Sequence, residues 1–272
     1  CTHPPLLCRS QPCRLFARYQ AYHCARYHCA RIACRVPPAV AALVNGTAGH
    51  CYELDDTHDA TLSHPGAVVI SAALAVAAET GSSGAETMAA VAAGYEAMTR
   101  IGAAANPLNV IEFGFHPTAL FGCFGAAAAA AKLHGLDEDK LLCAWGHCLS
   151  LTSGSTQFAD EAKGTDTKRT HAGYAAHQGV LAVEFALNGV EAPRRAIDGK
   201  YGFIHLHGRD ARPEVLDQPA PTLAIHEISM KPYACCRQFH SAIDALRETT
   251  ADFSKVAKIQ GITIRGPRIL KD

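Results

Sequence analysis

The sequence predicts a mainly α fold, in which a large all-helical domain is followed by the start of a second domain of mixed structure. Between residues 37 and 187, segments rich in Ala, Leu and Val alternate with short stretches of Gly, Pro, Ser and Asp. Alanine has the highest intrinsic helix propensity, and such stretches break helices. After Gly189, frequent Gly and Pro residues interrupt the sequence, which indicates that helices give way to loops.

Six Ala-rich segments are predicted to form helices. Their many Ala and Gly residues allow helices to approach closely, which favours a compact helical array over a Leu-rich coiled coil. Gly135 and Asp137 lie between two of them and predict a C-cap glycine followed by an N-cap aspartate. The predicted helices cover residues 39–46, 66–80, 84–103, 116–135, 137–153 and 172–187.

Residues 259–264 are rich in Ile and Thr, which predicts a strand. A single strand without a partner cannot bury itself. We therefore expect a helical domain at residues 36–225 and only the beginning of a second, mixed α/β domain, truncated, at residues 226–272.

The first 35 residues differ from the rest of the chain. They contain six of the 12 cysteines, six arginines and no acidic residue. Cys24, Cys29 and Cys34 are five residues apart without a CxxC pair, so we predict no metal site. The segment also lacks the continuous apolar stretch of a signal peptide. We interpret residues 1–35 as not native to the fold, a misassembled or out-of-frame stretch joined near Val36.

Composition limits the classes of partner. The formal net charge is zero, which argues against binding to nucleic acid or to an anionic membrane. The longest apolar stretches, 66–78 and 119–131, are shorter than the roughly 20 residues of a membrane span. The six cysteines after residue 50 show no paired metal-type spacing, which is typical of reduced cysteines in a cytoplasmic protein. With nucleic acid and membranes excluded, we predict that the partner is a small-molecule substrate.

Four histidine-bearing segments lie where predicted helices begin or end. Histidine has an ordinary pKa close to neutrality and suits general acid and base catalysis. Polar residues delivered to helix ends inside an apolar scaffold are typical of an active site. These segments are residues 53–58, 63–66, 114–118 and 167–173.

Chemistry suggests a role for several of these side chains. His64 and His116 suit a base and an acid, and His116 precedes a proline-started helix, whose N-terminus favours an anion. Lys168, Arg169 and Lys231 suit substrate carboxylates. The lysines would also stabilise an enolate-like transition state.

Other polar residues have simpler interpretations. Asp55 and Asp56 orient a histidine or cap a helix, and for Asp55 we expect capping. For His58 and His240 the sequence leaves two interpretations open: a role in the active site, or a histidine at a helix end that binds backbone carbonyls. His147 and His177 have no companion motif and are predicted to pack in the core or at the surface.

Six short motifs occur in the order seen in one family, and the chain resembles the MmgE/PrpD family. The resemblance implies a large all-helical domain with a smaller α/β lid, a homodimer with the active site between the domains, and no metal or organic cofactor. The motifs are Asp55-Asp56-Thr57-His58, His64-Pro65-Gly66, Gly94-Tyr95-Glu96 with Arg100-Ile101-Gly102, Gly114-Phe115-His116-Pro117-Thr118, Lys168-Arg169-Thr170-His171-Ala172-Gly173, and Met230-Lys231-Pro232-Tyr233 with His240.

The resemblance also implies site residues. Relatives commonly have aspartate at the position of Glu53, and family chains are longer, so a further tyrosine of the lid is expected beyond Asp272. The functional positions that the resemblance implies are Thr57, His64, His116, Lys168 and Lys231. With the chemistry of the neighbouring residues, we predict His64, His116, Lys168 and Lys231 as catalytic residues. The predicted substrate-binding residues are Glu53, Asp56, Thr57, Arg169 and His171.

The predicted function is that of a hydro-lyase acting on a small tricarboxylate, with dehydration of 2-methylcitrate as the leading hypothesis. Decarboxylation of cis-aconitate to itaconate and epimerisation of the iminodisuccinate type are alternatives, because all three reactions can pass through a carbanion-like state. An inactive helical fragment is an alternative of another class.

Overall fold

The computed structural model describes residues 36–249 and 260–266, and these are mainly helical, as the sequence predicts. A two-stranded antiparallel sheet joins β1 (Thr57–His58) to β2 (Ile228–Ser229). The α-helices of the described residues are α1 Pro38–His50, α2 Pro65–Thr80, α3 Gly84–Ala104, α4 Pro107–Glu112, α5 Pro117–Leu133, α6 Glu138–Leu151, α7 Thr167–Leu187, α8 Phe203–His207 and α9 His240–Thr249.

Helix ends follow the local sequence signals. Gly135 has a φ of +63°, and the Asp137 side chain accepts a hydrogen bond from the backbone N–H of Lys140 at the start of α6. Both features confirm the predicted caps. Helix α7 begins at Thr167, five residues before the predicted start. This early start places Lys168 and His171 on the first turns of a helix.

The predicted strand at residues 259–264 is wrong for its described part. Residues 260–264 have no regular secondary structure, and Ile259 lies outside the described residues. Ile262 and Ile264 are each 60% exposed, so no apolar surface covers them. No strand of residues 36–249 pairs with this segment, and β propensity alone does not form a strand. The segment 1–35 also lies outside the described residues, and the domain division near residue 225 stays a prediction.

Helix α5 forms the centre of the bundle. Every residue from Pro117 to Ala131 is buried, and the helix packs against α2, α3 and α7. A helix that is apolar on all faces is typically enclosed by other helices. The alanine-rich sequence therefore fixes both the position of α5 and the close spacing of its neighbours.

Small residues allow the helices around α5 to touch through their backbones. A Cβ atom on Gly46 of α1 would lie 2.8 Å from the Gly173 Cα and 2.9 Å from the Ala172 carbonyl oxygen of α7. Gly94 of α3 similarly faces the carbonyl oxygen of Gly125 on α5. These contacts determine how far apart the helix N-termini lie.

Two motif residues of α3 hold the irregular segment after α8. The Arg100 guanidinium donates hydrogen bonds to the backbone carbonyls of Leu216 and Gln218, both at 2.6 Å. The Glu96 carboxylate accepts one from the backbone N–H of Ala224 at 2.6 Å. These side chains therefore anchor the chain on its way back to β2.

The pairing of β1 with β2 places the end of the described chain next to the loop between α1 and α2. Thr57 lies opposite Ser229 and His58 lies opposite Ile228. Lys231 follows β2 by two residues and therefore reaches this loop. The sequence contains no short-range signal for this pairing, because its partners are about 170 residues apart.

The Asp56 carboxylate fastens the same loop to two helices. One oxygen accepts a hydrogen bond from the backbone N–H of Gly66, at the start of α2, at 2.8 Å. The other accepts one from the Tyr95 hydroxyl of α3 at 2.6 Å. Burial raises the pKa of Asp56 even though both bonds favour the charged carboxylate. The loop that carries the site residues is thus attached to α2 through one oxygen of Asp56 and to α3 through the other.

Two further findings concern membrane-spanning helices and the cysteines. In the described part of the chain, no helix is both long enough and apolar enough to cross a membrane. The cysteines after residue 50 are free thiols, as their spacing predicts.

We expect Gly46→Ala to destabilise the protein by about 1–3 kcal/mol, because the added methyl group would press against the backbone of α7. The free energy of unfolding from denaturant titration measures this. Gly49→Ala in the same helix is the control, since its Cβ would meet only ordinary contacts at 3.7 Å or more. Equal stability of the two variants would contradict close packing of α1 on α7.

Tyr95→Phe is expected to cost about 1–3 kcal/mol, because it leaves a buried oxygen of Asp56 without its donor. The same denaturant titration measures the loss. Tyr174→Phe, at an exposed position of α7, is the matched control. A stability loss as small as that of the control would argue against the Tyr95 hydrogen bond.

Candidate active site

Four chain segments bring their polar residues together at one side of the bundle. The loop after α1 supplies Glu53 and Asp55, and the residue before α5 is His116. The first turns of α7 carry Lys168 and His171, while Lys231 arrives after β2. We call this group the polar cluster. Its members are His50, Glu53, Asp55, His64, His116, Lys168, His171 and Lys231.

Two lysines converge on one glutamate. The Lys168 Nζ atom lies 2.8 Å from the Glu53 carboxylate, and the Lys231 Nζ atom lies 3.4 Å from it. The Lys231 side chain is fully buried. Burial alone would raise the pKa of Glu53, but Lys168 beside it reverses the shift and lowers that pKa. The cluster therefore contains an ionised glutamate between two ammonium groups.

Glu53 has an unusual backbone conformation. Its φ is +55°, a region in which aspartate and asparagine are several-fold enriched among the non-glycine residues. This gives a physical reason for the aspartate that the family resemblance implies at this position. Glutamate keeps the carboxylate but carries the strain of a left-handed backbone.

Asp55 binds three cluster residues. Its carboxylate lies 2.9 Å from His50 Nδ1, 3.2 Å from His64 Nδ1 and 3.2 Å from Lys231 Nζ. Burial would raise the pKa of Asp55, but the hydrogen bond from His50 and the neighbouring charges hold that pKa below its usual range. The capping role expected for Asp55 is wrong, because Asp56 provides the carboxylate at the start of α2.

His64 has a defined hydrogen-bonding state. Its Nδ1 atom lies 2.7 Å from the carbonyl oxygen of Asp56, and a carbonyl can only accept, so Nδ1 carries the proton. The Thr57 hydroxyl lies 3.3 Å from the same nitrogen. Burial lowers the pKa of His64 to about 4, against the opposing effect of Asp55. His64 is therefore neutral at pH 7, with a lone pair on Nε2.

His116 and His171 form a pair. Their Nδ1 atoms are 2.9 Å apart, so one imidazole donates and the other accepts. The Phe158 ring packs edge-on against both. Burial, followed by the charge of His50, lowers the pKa of His116 well below its usual value and that of His171 to about 4. In the neutral pair, one Nε2 is a donor and the other an acceptor.

Sequence reasoning missed His50. It is the last residue of α1 and has no exposed surface. Its ring centroid lies 5.2 Å from that of His64 and 5.9 Å from that of His116. The available signal was its position three residues before Glu53, just beyond the helix predicted at residues 39–46.

Of the predicted site residues, Arg169 and Asp56 use their side chains for partners other than the two lysines. Arg169 donates a hydrogen bond to the backbone carbonyl of Cys51 at 3.1 Å and pairs with Asp166 one turn away. Asp56 uses its carboxylate oxygens for Gly66 and Tyr95. Thr57 contacts the cluster through His64.

The two histidines left open by the sequence lie outside the cluster. His58 binds the Thr61 hydroxyl at 2.8 Å and lies 3.4 Å from the Glu227 carboxylate. His240 lies 3.4 Å from the carbonyl oxygen of Cys235 and packs against the Tyr233 ring. Both hold neighbouring segments together.

The cluster combines cations with neutral imidazoles. Within residues 36–249 and 260–266, no three His, Cys, Asp or Glu side chains converge in a way that could hold a metal ion. Two ammonium groups suit an anion with several carboxylates. Neutral imidazoles in both donor and acceptor states suit proton transfer.

Comparison with known proteins identifies the family. The model of the MmgE/PrpD N-terminal domain matches residues 10–216. This match begins within the segment 1–35 and ends before Lys231.

Two of three curated relatives are named cis-aconitate decarboxylase, and the third is named as similar to that enzyme. The chain is 31% identical over 238 residues to "Cis-aconitate decarboxylase" of Aspergillus terreus, covering 79% of this chain and 48% of the relative. It is 34% identical over 174 residues to "Cis-aconitate decarboxylase" of Homo sapiens, covering 62% of this chain and 35% of the relative. A third relative is "Cis-aconitate decarboxylase-like protein oryM" of Aspergillus oryzae, with 29% identity over 235 residues, 80% of this chain and 48% of the relative.

The chain thus spans about half the length of the Aspergillus relatives that it matches. The family match covers most of the chain, and it includes the motifs that supply His64, His116 and Lys168 to the polar cluster. The chain belongs to the MmgE/PrpD family.

Proposed function

We propose that the full-length protein is a lyase acting on a small polycarboxylate, and that its reaction is the decarboxylation of cis-aconitate. The observation that carries this proposal is the convergence of Lys168 and Lys231 on Glu53 beside buried, neutral histidines. The names of the relatives favour decarboxylation over the dehydration that the sequence suggested first.

The reaction has simple requirements. The bond between the methylene carbon of cis-aconitate and its carboxylate breaks, and carbon dioxide leaves. The electron pair moves through the double bond to the carbon beside the other terminal carboxylate, and a proton adds there to give itaconate. A catalyst must therefore stabilise negative charge near a carboxylate and deliver one proton.

The lysines suit the first requirement. Without substrate they are neutralised by Glu53 and Asp55, and a substrate carboxylate can take over either ammonium group. Lys231 is the stronger candidate for stabilising the enolate-like state, because its side chain is fully buried. A charge acts more strongly where water is excluded.

Imidazoles of the cluster suit the second requirement. His116 is neutral in the free protein, since burial lowers its pKa. A polyanion bound nearby favours the protonated form of such a group. In this proposal His116 takes up a proton on Nε2 as substrate binds and delivers that proton to the carbon. The proton between the two Nδ1 atoms is shared with His171.

Dehydration of 2-methylcitrate is the second candidate. The His64 tautomer favours it, because a lone pair on Nε2 can remove a proton beside a carboxylate. Decarboxylation needs no such base. The two reactions therefore differ in their demand on His64.

We expect the full-length protein to convert cis-aconitate to itaconate and carbon dioxide, with product identified by chromatography and mass spectrometry. Lys231→Met should lower kcat/KM by about 100-fold or more, the scale for loss of one preorganised electrostatic group. Lys168→Met tests the less buried partner. Lys200→Met, outside the cluster, is the control.

Incubation with 2-methylcitrate runs in parallel. Formation of 2-methylaconitate without itaconate would replace decarboxylation by the second candidate. A folded protein that converts neither substrate would contradict both.

Binding of a tricarboxylate should be accompanied by proton uptake at a pH between about 4 and 6.5. In this window His64 and His171 are neutral in the free protein, since their pKa values are lowered from 6.5 to about 4. A bound polyanion raises the pKa of nearby imidazoles. Calorimetry in two buffers of different ionisation enthalpy measures the protons taken up, and proton release would contradict the proposal.

A further inference from the structure

The Nε2 atom of His50 is a buried polar atom without a partner. The side chain has no exposed surface, and no hydrogen-bond partner lies within reach of Nε2 in the described part of the chain. Leaving such a group unpaired is costly, so a partner is expected when the protein works. A substrate group is a natural candidate, because the atom lies inside the polar cluster.

Asp55 fixes the state of the His50 ring. Its ionised carboxylate can only accept, so the contact of 2.9 Å requires a proton on Nδ1. The imidazolium form of a histidine carries a proton on each ring nitrogen. In that form the N–H at Nε2 of His50 faces no acceptor among the described residues.

His50 occupies a central place in the cluster. Its ring lies 5.2 Å from His64 and 5.9 Å from His116, measured between centroids. Its charge also contributes, after burial, to the lowered pKa values of His116 and His171. A charge felt by both imidazoles lies close to the space where a substrate would react.

Other unpartnered buried atoms lie elsewhere. Among the described residues these are ring or guanidinium nitrogens of His207, Arg237 and His240. His207 packs on Phe115 and Phe203, and Arg237 lies near Asp59. None of them contacts the lysines or the cluster carboxylates.

We propose that His50, held by Asp55, is a further substrate-binding residue whose Nε2–H donates a hydrogen bond to one carboxylate of the substrate. This inference rests on the proposed function, since it needs a polycarboxylate in the cluster. Together with Lys168 and Lys231 it gives three donors for three carboxylates. A charge-assisted hydrogen bond of this kind fixes orientation as well as affinity.

Two substitutions separate binding from scaffolding. His50→Asn keeps a donor near the position of Nδ1 for Asp55 but removes Nε2. His50→Gln places an amide nitrogen near the position of Nε2 and gives up the contact with Asp55. His205→Asn, at an exposed position of α8, is the matched control.

Calorimetry with unreactive analogues measures binding in the full-length protein. Tricarballylate has three carboxylates, glutarate lacks the central one, and 2-methylsuccinate lacks a terminal one. We expect His50→Asn to weaken tricarballylate binding about 10-fold or more, the scale of one hydrogen bond to a charged group. His50→Asn should leave almost unaffected the binding of the dicarboxylate that lacks the carboxylate bound by His50. His50→Gln should recover part of the lost tricarballylate binding.

Three outcomes would contradict the proposed role of His50. Tricarballylate binding by His50→Asn equal to that of the control would overturn the role of His50 and leave the proposed function intact. An equal loss for all three ligands, without recovery in His50→Gln, would indicate a purely structural role and overturn it as well. If the unmodified protein binds no tricarboxylate, the proposed function fails and this inference fails with it.

Discussion

The Asp55 carboxylate is the contact on which the polar cluster depends. It holds His50 at the end of α1, His64 at the start of α2 and Lys231 after β2. These residues come from segments up to 181 positions apart (50 to 231). Removing this buried anion would leave the Lys231 ammonium group with the more distant Glu53 carboxylate and would take the carboxylate partner from His50 and His64, a costly arrangement in a low dielectric. One side chain thus determines both the charge balance and the geometry of the site.

Backbone packing makes this meeting point possible. Glycines such as Gly46 and Gly94 let α1 and α3 lie directly against α7 and α5, so that polar residues at helix ends come within hydrogen-bonding distance. Bulkier side chains would move the helices apart and separate His116 from His171. Burial in the apolar bundle also keeps His64, His116 and His171 neutral and strengthens the action of the buried lysine. The composition of the scaffold therefore determines the chemistry of the site.

Much of the candidate site was predictable from local motifs. His64, His116, Lys168 and Lys231 stand beside helix-breaking residues or in family motifs, and the structure brings all four to one place. His50 was missed because the helix predicted at residues 39–46 extends to it, and because its contact with Asp55 depends on the fold of the loop that follows. Arg169 was assigned to the substrate because guanidinium groups suit carboxylates, yet its neighbours Cys51 and Asp166 engage it. Residue type predicts what a side chain can bind, and only its surroundings decide what it does bind.

The sequence by itself determined the six longer helices of the bundle, the caps between α5 and α6, and the family, because helix propensity, glycine C-caps and motif order are properties of short segments. The shorter helices α4, α8 and α9 were not predicted. Tertiary structure decided which charges meet. The pairing of Thr57 with Ser229, which carries Lys231 to Glu53, depends on contacts between distant residues that no local pattern encodes. The lowered pKa values of His64 and His171 likewise arise from burial, which exists only once the helices have packed.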